Sequence, residues 1–519
     1  MSKQITSLIL LILITVSSCN TDNKQKTDNE ALPNILIIMA DDMGYGDVGA
    51  YNPKSKIPTP NIDKIASEGL MLTDAHSADA LCSPSRYGLL TGRYSWRTRL
   101  KEGVLIGYDE TALIEKGRPT LASVLGKGGY TTAFVGKWHM GWTWQTKDGK
   151  ALKKDEDNVR YDPVLFSANE QNVDFSKPIS GGPIDLGFDY FFGTFGCSTS
   201  DPPYTYIENK MTVEMPSIMS RDEYTGLPGF LPGLMAPDWV IEEVDTVLTQ
   251  KAITFIEKAT TESPEKPFFL TLALSAPHNP FVPPGFAIGK SEEGPRGDLV
   301  TVVDRSTGMV MEALKRLGIE DNTLVIITSD NGPMRGGNGH LSAGQLRGYK
   351  ANIWEGGHRI PFIVRWPGKT IPGSVSSEII SQTDLYTSFA SLVSQDVGEY
   401  GGEDSYNVLP VLYGQPIAGN DKQPRIFHSA KNVYAIRKGK WKLIQGTKGS
   451  GTGKVLMTED SLKYNGQLYD MLADPFEQKD LWDNEPDKVT ELLKILNKIK
   501  NNNSVASHPK RIPFANGYR

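Results

Sequence analysis

The stretch NILIIMADDMG, residues 34–44, decides the fold. A short apolar run rich in isoleucine passes straight into two carboxylates, Asp41 and Asp42, and then a glycine. A run of this length and composition, bounded by turn residues, reads as a β-strand buried on both faces. Three further runs share the form. TTAFVG leads into Lys137-Trp138-His139, FFLTLALSAP into His278-Asn279-Pro280, and TLVIITS into Asp330-Asn331-Gly332. Helical stretches alternate with these strands and no internal repeat is present, so the pattern predicts an α/β fold with a mostly parallel sheet. In such sheets ligands bind beyond the carboxyl ends of the strands. Strand ends that carry acids, histidines and a lysine therefore predict one shared polar site.

Each piece alone has a plainer reading. An Asp after a strand commonly caps the next helix. A single His is usually a hydrogen-bonded structural residue, and Asp-Asn-Gly is a good turn sequence. Independent caps and turns, however, give no reason for all these groups to fall at strand ends. Lys350 and His358 belong to LRGYKANIWEGGHRIP, residues 346–361, where Gly356-Gly357 permits tight turns ahead of a proline-led strand. Lys350 alone reads as solvated charge, and no role follows for His358.

A second stretch, LCSPSRYGLLTGR at residues 81–93, sets Cys82 among Ser, Pro and Arg rather than in an apolar run. That is not the setting of a packing cysteine. Pro84 suits the first turn of a helix and Gly92 its end, which puts Cys82 at a helix start expected to be exposed, where an anion is favoured.

The chain has 519 residues, a net charge of −6 and three cysteines. No basic block marks a nucleic-acid partner. Cys19 closes a leader in which Lys3 precedes an apolar run from Ile5 to Val16, too short to span a bilayer. Val16-Ser17-Ser18-Cys19 resembles a bacterial lipoprotein box. Residues 1–18 then form the signal peptide, Cys19 carries lipid (palmitate), and residues 19–32 are a polar tether. The plainer alternative is an ordinary signal peptide with an incidental cysteine. The protein is expected to be exported and lipid-anchored to a bacterial membrane, periplasmic or on the cell surface. With Cys19 and Cys82 engaged, Cys197 has no partner for a disulfide framework.

Cys82-Ser83-Pro84-Ser85-Arg86 with Leu90-Thr91-Gly92-Arg93 resembles the signature of the type I, formylglycine-dependent sulfatases of the alkaline-phosphatase-like superfamily. The segments DDMGYGD, GKWHMG, GFDYFFG, SDNG, KANIWEGG, KGKWKLI and QLYDMLADPFEQKDL extend the resemblance to about Asp483. It implies a large mixed, mostly parallel sheet sandwiched by helices over residues 33–424. A smaller C-terminal α+β subdomain with a four-stranded antiparallel sheet follows over residues 425–519. It implies that a separate maturing enzyme, reading Cys-x-Pro-x-Arg, oxidises Cys82 to formylglycine (3-oxoalanine). One hydroxyl of the hydrate attacks sulfur, and deprotonation of the other expels sulfate.

Carried over residue by residue, the resemblance makes Asp41, Asp42, Asp330 and Asn331, with the formylglycine of Cys82, the ligands of one calcium. Such oxygen ligation suits a hard cation. Arg86 would hold the formylglycine oxygen, and Lys137 and Lys350 would neutralise sulfate charge. His278 would protonate the departing oxygen, while His139 takes the proton that collapses the intermediate. Lys137, His278 and Lys350 thereby also bind substrate. A polar residue that the family carries after GFDYFFG falls within Cys197-Ser198-Thr199-Ser200, at no fixed position.

The implied activity is sulfuric ester hydrolysis. Export favours sulfated carbohydrates, such as polysaccharide-derived oligosaccharides, over small aryl or steroid sulfates. Residues 142–183 and 198–238 are expected to rim the site. Trp142 or Trp144 would stack on a sugar ring, against the plainer reading of both as core. The alternatives are a formylglycine phosphonate or phosphodiester hydrolase and an inactive surface glycan-binding lipoprotein. Near the C-terminus NVYAIRKG and KWKLIQG alternate like antiparallel strands, and GTKGSGTGK reads as a mobile loop. A helix from about Pro486 aligns Val489, Leu492, Leu493, Leu496 and Ile499. Arg437 and Lys440 receive no catalytic role.

Overall fold

The strand Asn34–Ala40 is buried along its whole length and lies in the middle of the sheet. It pairs in parallel with Phe268–Ala273 on one side and Thr323–Ser329 on the other. Thr131–Lys137 and then Tyr190–Thr194 continue the parallel set. These strands form the centre of a ten-stranded sheet in the computed structural model, which describes residues 32–108, 111–153, 163–397, 401–446 and 466–502. Beyond Thr323–Ser329 the sheet turns antiparallel through Phe362–Arg365 and Leu70–Leu72. Short antiparallel strands, Ile207–Glu208 and Met211–Thr212, finish the opposite edge. The sheet is thus mixed and mostly parallel.

Successive side chains of a strand point to opposite faces, and both faces here are covered. Ile35, Ile37 and Met39 join a core shared with the helices Cys82–Thr91, Leu121–Lys127 and Asp384–Leu392. Leu36, Ile38 and Ala40 join the other core, with the helices Pro60–Glu68, Val244–Glu262 and Pro295–Arg316. Each fully buried Ile or Leu contributes about 1.5–3 kcal/mol. Burial on two faces is why these runs lack the polar alternation of a solvent-facing strand.

A separate antiparallel sheet orders Arg425–His428, Tyr434–Lys438, Trp441–Gln445 and Gly466–Asp470. The helix Pro486–Asn501 lays Val489, Leu492 and Leu496 over Ile436, Leu443 and Leu468, with Tyr94 and Trp96 completing that core. The leader, Cys19, residues 19–31 and most of the glycine-rich loop lie outside the described residues.

Candidate active site

Parallel pairing brings the carboxyl ends of the central strands to one edge of the sheet, and the polar groups sit just past them. Two of the turns there use backbone that side chains rarely adopt. Asp42 has φ 70° and His139 φ 55°. Left-handed backbone at a non-glycine residue persists only where its surroundings hold it. Asp42 is held by its own amide, which donates to Asp330 Oδ1 at 3.2 Å, and by Met43 N donating to Ser329 Oγ at 2.9 Å.

The side chains then interlock. Lys137 Nζ donates to Asp41 Oδ2 at 2.5 Å, and Cys82 Sγ reaches Asp41 Oδ1 at 3.5 Å. Arg86 donates through Nε (3.0 Å) and Nη2 (2.8 Å) to Asp330 Oδ2, and through Nη1 to the Lys137 carbonyl. Asn331 Nδ2 donates to Asp42 Oδ1 at 2.7 Å, and Lys350 Nζ to Asp42 Oδ2 at 2.7 Å. His278 Nε2 lies 3.9 Å from the same oxygen. Ligand atoms of Asp41, Asp42, Cys82 and His278 all fall within 4.8 Å of one another. Asn331 Oδ1 is buried without a hydrogen-bond partner. Three carboxylates and an orphaned amide oxygen are the donor chemistry of a hard divalent cation, so the residues fit one.

The cations govern the ionisation of this cluster. Burial works to raise Asp41, but Lys137, His278, Arg86 and Lys350 outweigh it and hold the carboxyl well below its ordinary value. Burial, with help from Asp41, raises Asp330 despite Arg86. His278 is raised because the carboxylates overcome its burial and the nearby lysines. The Cys82 thiol is pushed up to about 12 by its hydrogen bond with Cys197, by burial and by Asp41. A thiol so disfavoured as thiolate is a poor nucleophile at neutral pH.

The sequence model of the Sulfatase family matches residues 33–395. The chain is 32% identical to an N-acetylgalactosamine-6-O-sulfatase of Bacteroides thetaiotaomicron, over 96% of this chain and 99% of the relative. It is 32% identical to human arylsulfatase A, over 90% of this chain and 87% of that one. The protein belongs to the sulfatase family. A solved Bacteroides thetaiotaomicron structure, described under the metabolism of multiple glycosaminoglycans, superposes with a TM-score of 0.75 at 30% identity, covering 91% of this chain and 100% of its own. The sulfatase is a sulfuric ester hydrolase with the alkaline-phosphatase-like architecture.

Within this sulfatase the structure brings Asp41, Asp42, Cys82, Arg86, Lys137, His139, His278, Asp330, Asn331 and Lys350 to the same end of the sheet. Two expectations are corrected. Trp142 and Trp144 do not rim the site. They are 0% and 4% exposed, pack edge-on against each other and both against Phe195, with Phe191 touching Trp142 and Phe175 touching Trp144. The aromatic residues of the following strand and insertion enclose them, so they are core. The Cys82 helix start is buried rather than exposed, because all ten residues of Cys82–Thr91 are covered. Gly92 closes that helix at φ 62°, where a Cβ would meet Gly402 Cα at 2.7 Å and Tyr386 Cβ at 2.8 Å.

The structure also resolves Cys197-Ser198-Thr199-Ser200. Cys197 follows the fifth parallel strand, Tyr190–Thr194, and is the member of the segment that faces the site. Its signal was the same as for the other four runs: an apolar run, YFFGT, that leads into a group capable of chemistry.

Proposed function

We propose that this sulfatase removes sulfate from sulfated carbohydrates through a formylglycine made from Cys82, beside one calcium held by Asp41, Asp42, Asp330 and Asn331. The observation that carries the carbohydrate reading is similarity along 96% of the chain to a relative named for N-acetylgalactosamine 6-O-sulfate. Glycosaminoglycan saccharides with a 6-sulfated N-acetylhexosamine are therefore the first class to test. The chemistry explains the surroundings of Cys82. A buried thiol above its working range is of little use, whereas the hydrate of an aldehyde at that position supplies one hydroxyl for attack on sulfur and a second for sulfate release. Calcium in the oxygen cluster would polarise the sulfate and acidify the hydrate.

The chain's own residues do the rest. Arg86, anchored on Asp330 and the Lys137 carbonyl, presents fixed positive charge beside position 82. Lys137 and Lys350 neutralise sulfate charge as it shifts onto the bridging oxygen. His278 Nδ1–H donates to the Asn279 carbonyl at 2.6 Å, which aims Nε2 at the site as the acid for the leaving oxygen. His139 Nε2–H donates to the Leu105 carbonyl at 2.8 Å, leaving Nδ1 as the base for collapse. Maturation by a separate Cys-x-Pro-x-Arg-reading enzyme, export, and a lipid anchor at Cys19 complete the proposal.

The test is one preparation from a host with a maturing enzyme. Mass spectrometry should find formylglycine at position 82, and elemental analysis one calcium per chain. The enzyme should release sulfate from 6-sulfated saccharides and negligible phosphate from matched phosphate esters, and Cys82→Ala should abolish turnover. Unmodified cysteine in active protein, or turnover confined to aryl sulfates across a broad saccharide panel, would contradict the corresponding half.

A further inference from the structure

The loop after the strand Arg425–His428 belongs to the four-stranded sheet, yet its backbone meets the catalytic centre at three places. The His428 carbonyl accepts from Ala80 N at 3.0 Å, two residues before Cys82. Ala430 N donates to the Ala351 carbonyl at 3.2 Å, one residue after Lys350. The Ala430 carbonyl accepts from Gly103 N at 3.1 Å, two residues before Leu105, whose own carbonyl lies 2.8 Å from His139 Nε2. Ala80 and Ala351 are also joined directly, Ala351 N donating to the Ala80 carbonyl at 2.8 Å. Ala351 shows that this joint bears on the local backbone. Its φ of 74° is left-handed, which an alanine keeps only where its neighbours hold it.

The side chain of His428 closes the joint. Nδ1 lies 2.6 Å from Asp79 Oδ2, a contact that needs a shared proton, and Nε2 lies 3.1 Å from Asn432 Oδ1. Both side chains of the His428–Asp79 pair are 3% exposed. The Asp79 carbonyl accepts from Ser77 Oγ at 2.7 Å and from Ser85 Oγ at 2.9 Å, the latter inside the helix that begins at Cys82. We propose that His428, acting through Asp79, is a positioning residue that fixes position 82 relative to Lys350. The four-stranded sheet is then part of the catalytic apparatus. Attack on sulfur needs the nucleophile and the cation that takes up the shifting charge at a set separation. A misplacement of about 1 Å costs roughly a hundredfold in rate, so kcat is the quantity the pair sets. The kinetic half of this inference rests on the proposed reaction, while the hold on Ala80 and Ala351 does not.

The test compares His428→Leu, His428→Asn and Asp79→Ala with wild type in the full-length enzyme from a host with a maturing enzyme, each below its own melting midpoint. On nitrophenyl sulfate, His428→Leu should lower kcat at least about tenfold while KM stays within about twofold. Asn places an amide nitrogen where Nδ1 stood, so His428→Asn should keep kcat within about threefold of wild type. Asp79→Ala strands no charge and should repeat the pattern of His428→Leu, which covers the case in which the latter does not fold. Hydrogen exchange read by mass spectrometry, on unmatured chains as well, gives the second measurement. Peptides holding Ala80 and Ala351 should exchange at least about tenfold faster in His428→Leu and Asp79→Ala, with the strand Asn34–Ala40 unchanged. Faster exchange in variants of a chain whose wild type releases no sulfate would uphold the joint and count against the proposed reaction alone. Unchanged exchange at both peptides overturns the inference, as does a kcat loss that His428→Asn shares in full. Failure of both His428→Leu and Asp79→Ala to fold overturns it too, because the pair would then be a requirement of folding.

Discussion

His278 is where the electrostatics of the site become a kinetic statement. Burial and the nearby lysines disfavour its charged form, yet the Asp41 and Asp42 carboxylates win and its pKa is raised. A histidine whose charged form is favoured beside a leaving group is suited to act as general acid, and the need for one depends on what departs. A sugar alkoxide requires the proton, whereas a nitrophenolate departs without it. His278→Ala should therefore lower kcat/KM for a saccharide sulfate roughly a hundredfold or more, while a nitrophenyl sulfate loses less than about tenfold. Equal losses on both esters would remove His278 from the proton-transfer step and leave it as a binding residue.

At the scale of elements, the site is an outcome of where strands stop, and that much was legible. Uniform apolar runs without polar alternation identify strands buried on both faces, and a reactive group after each run marks the edge that binds. Two features were not legible for a physical reason. Whether Trp142 and Trp144 face substrate or core depends on Phe175, Phe191 and Phe195, which the following insertion and strand bring back to enclose them. The orientation of the Ser275–His278 approach likewise depends on a remote helix. Asp245, in the first turn of Val244–Glu262, accepts from Ser275 N at 2.7 Å and Ala276 N at 2.9 Å. Burial, with a contribution from Asp41, raises its pKa to about 6. The folded state thus holds this proton more tightly than the unfolded chain, whose Asp titrates near 3.9. The stability it contributes is present below about pH 4 and is lost as pH rises through about 6, a change of roughly 2–4 kcal/mol. Asp245→Asn stays neutral throughout and keeps only one acceptor oxygen. Urea unfolding should show wild type ahead of the variant at pH 4, with that lead shrinking toward pH 7. A lead that widens with pH would mean the carboxylate, not the acid, is the favoured folded form.

Across the whole molecule, a buried lysine is among the side chains by which the four-stranded sheet reaches back to the catalytic loop. Lys442 is completely buried on the strand Trp441–Gln445 and lies 2.9 Å from Glu355 and 2.7 Å from Glu477. Its Nζ also lies 3.1 Å from His358 Nε2. His358 Nε2 also lies 3.1 Å from the Ile353 carbonyl, His358 Nδ1 lies 3.0 Å from His76 Nδ1, and His76 Nε2–H donates to Asp74 at 2.8 Å. Burial, with Arg359 near His76 and Lys442 beside His358, holds both pKa values down. His358, which had no role in the sequence, is thus a buried member of the joint between the two sheets. Glu355 opens the short helix Glu355–His358, five residues after Lys350. Replacing Lys442 by Met leaves Glu477 without its cation and Glu355 with Arg359 alone in a dry interior, an imbalance of about 3–5 kcal/mol. Lys442→Met should therefore destabilise the protein by that order and lower kcat/KM by loosening the segment that carries Lys350. Adding Glu355→Gln removes one of the stranded charges, so the double variant should regain part of the loss, with a coupling of about 0.5–3 kcal/mol. A double variant as weak as the sum of its singles would show that Lys442 acts through packing alone and not through its charge.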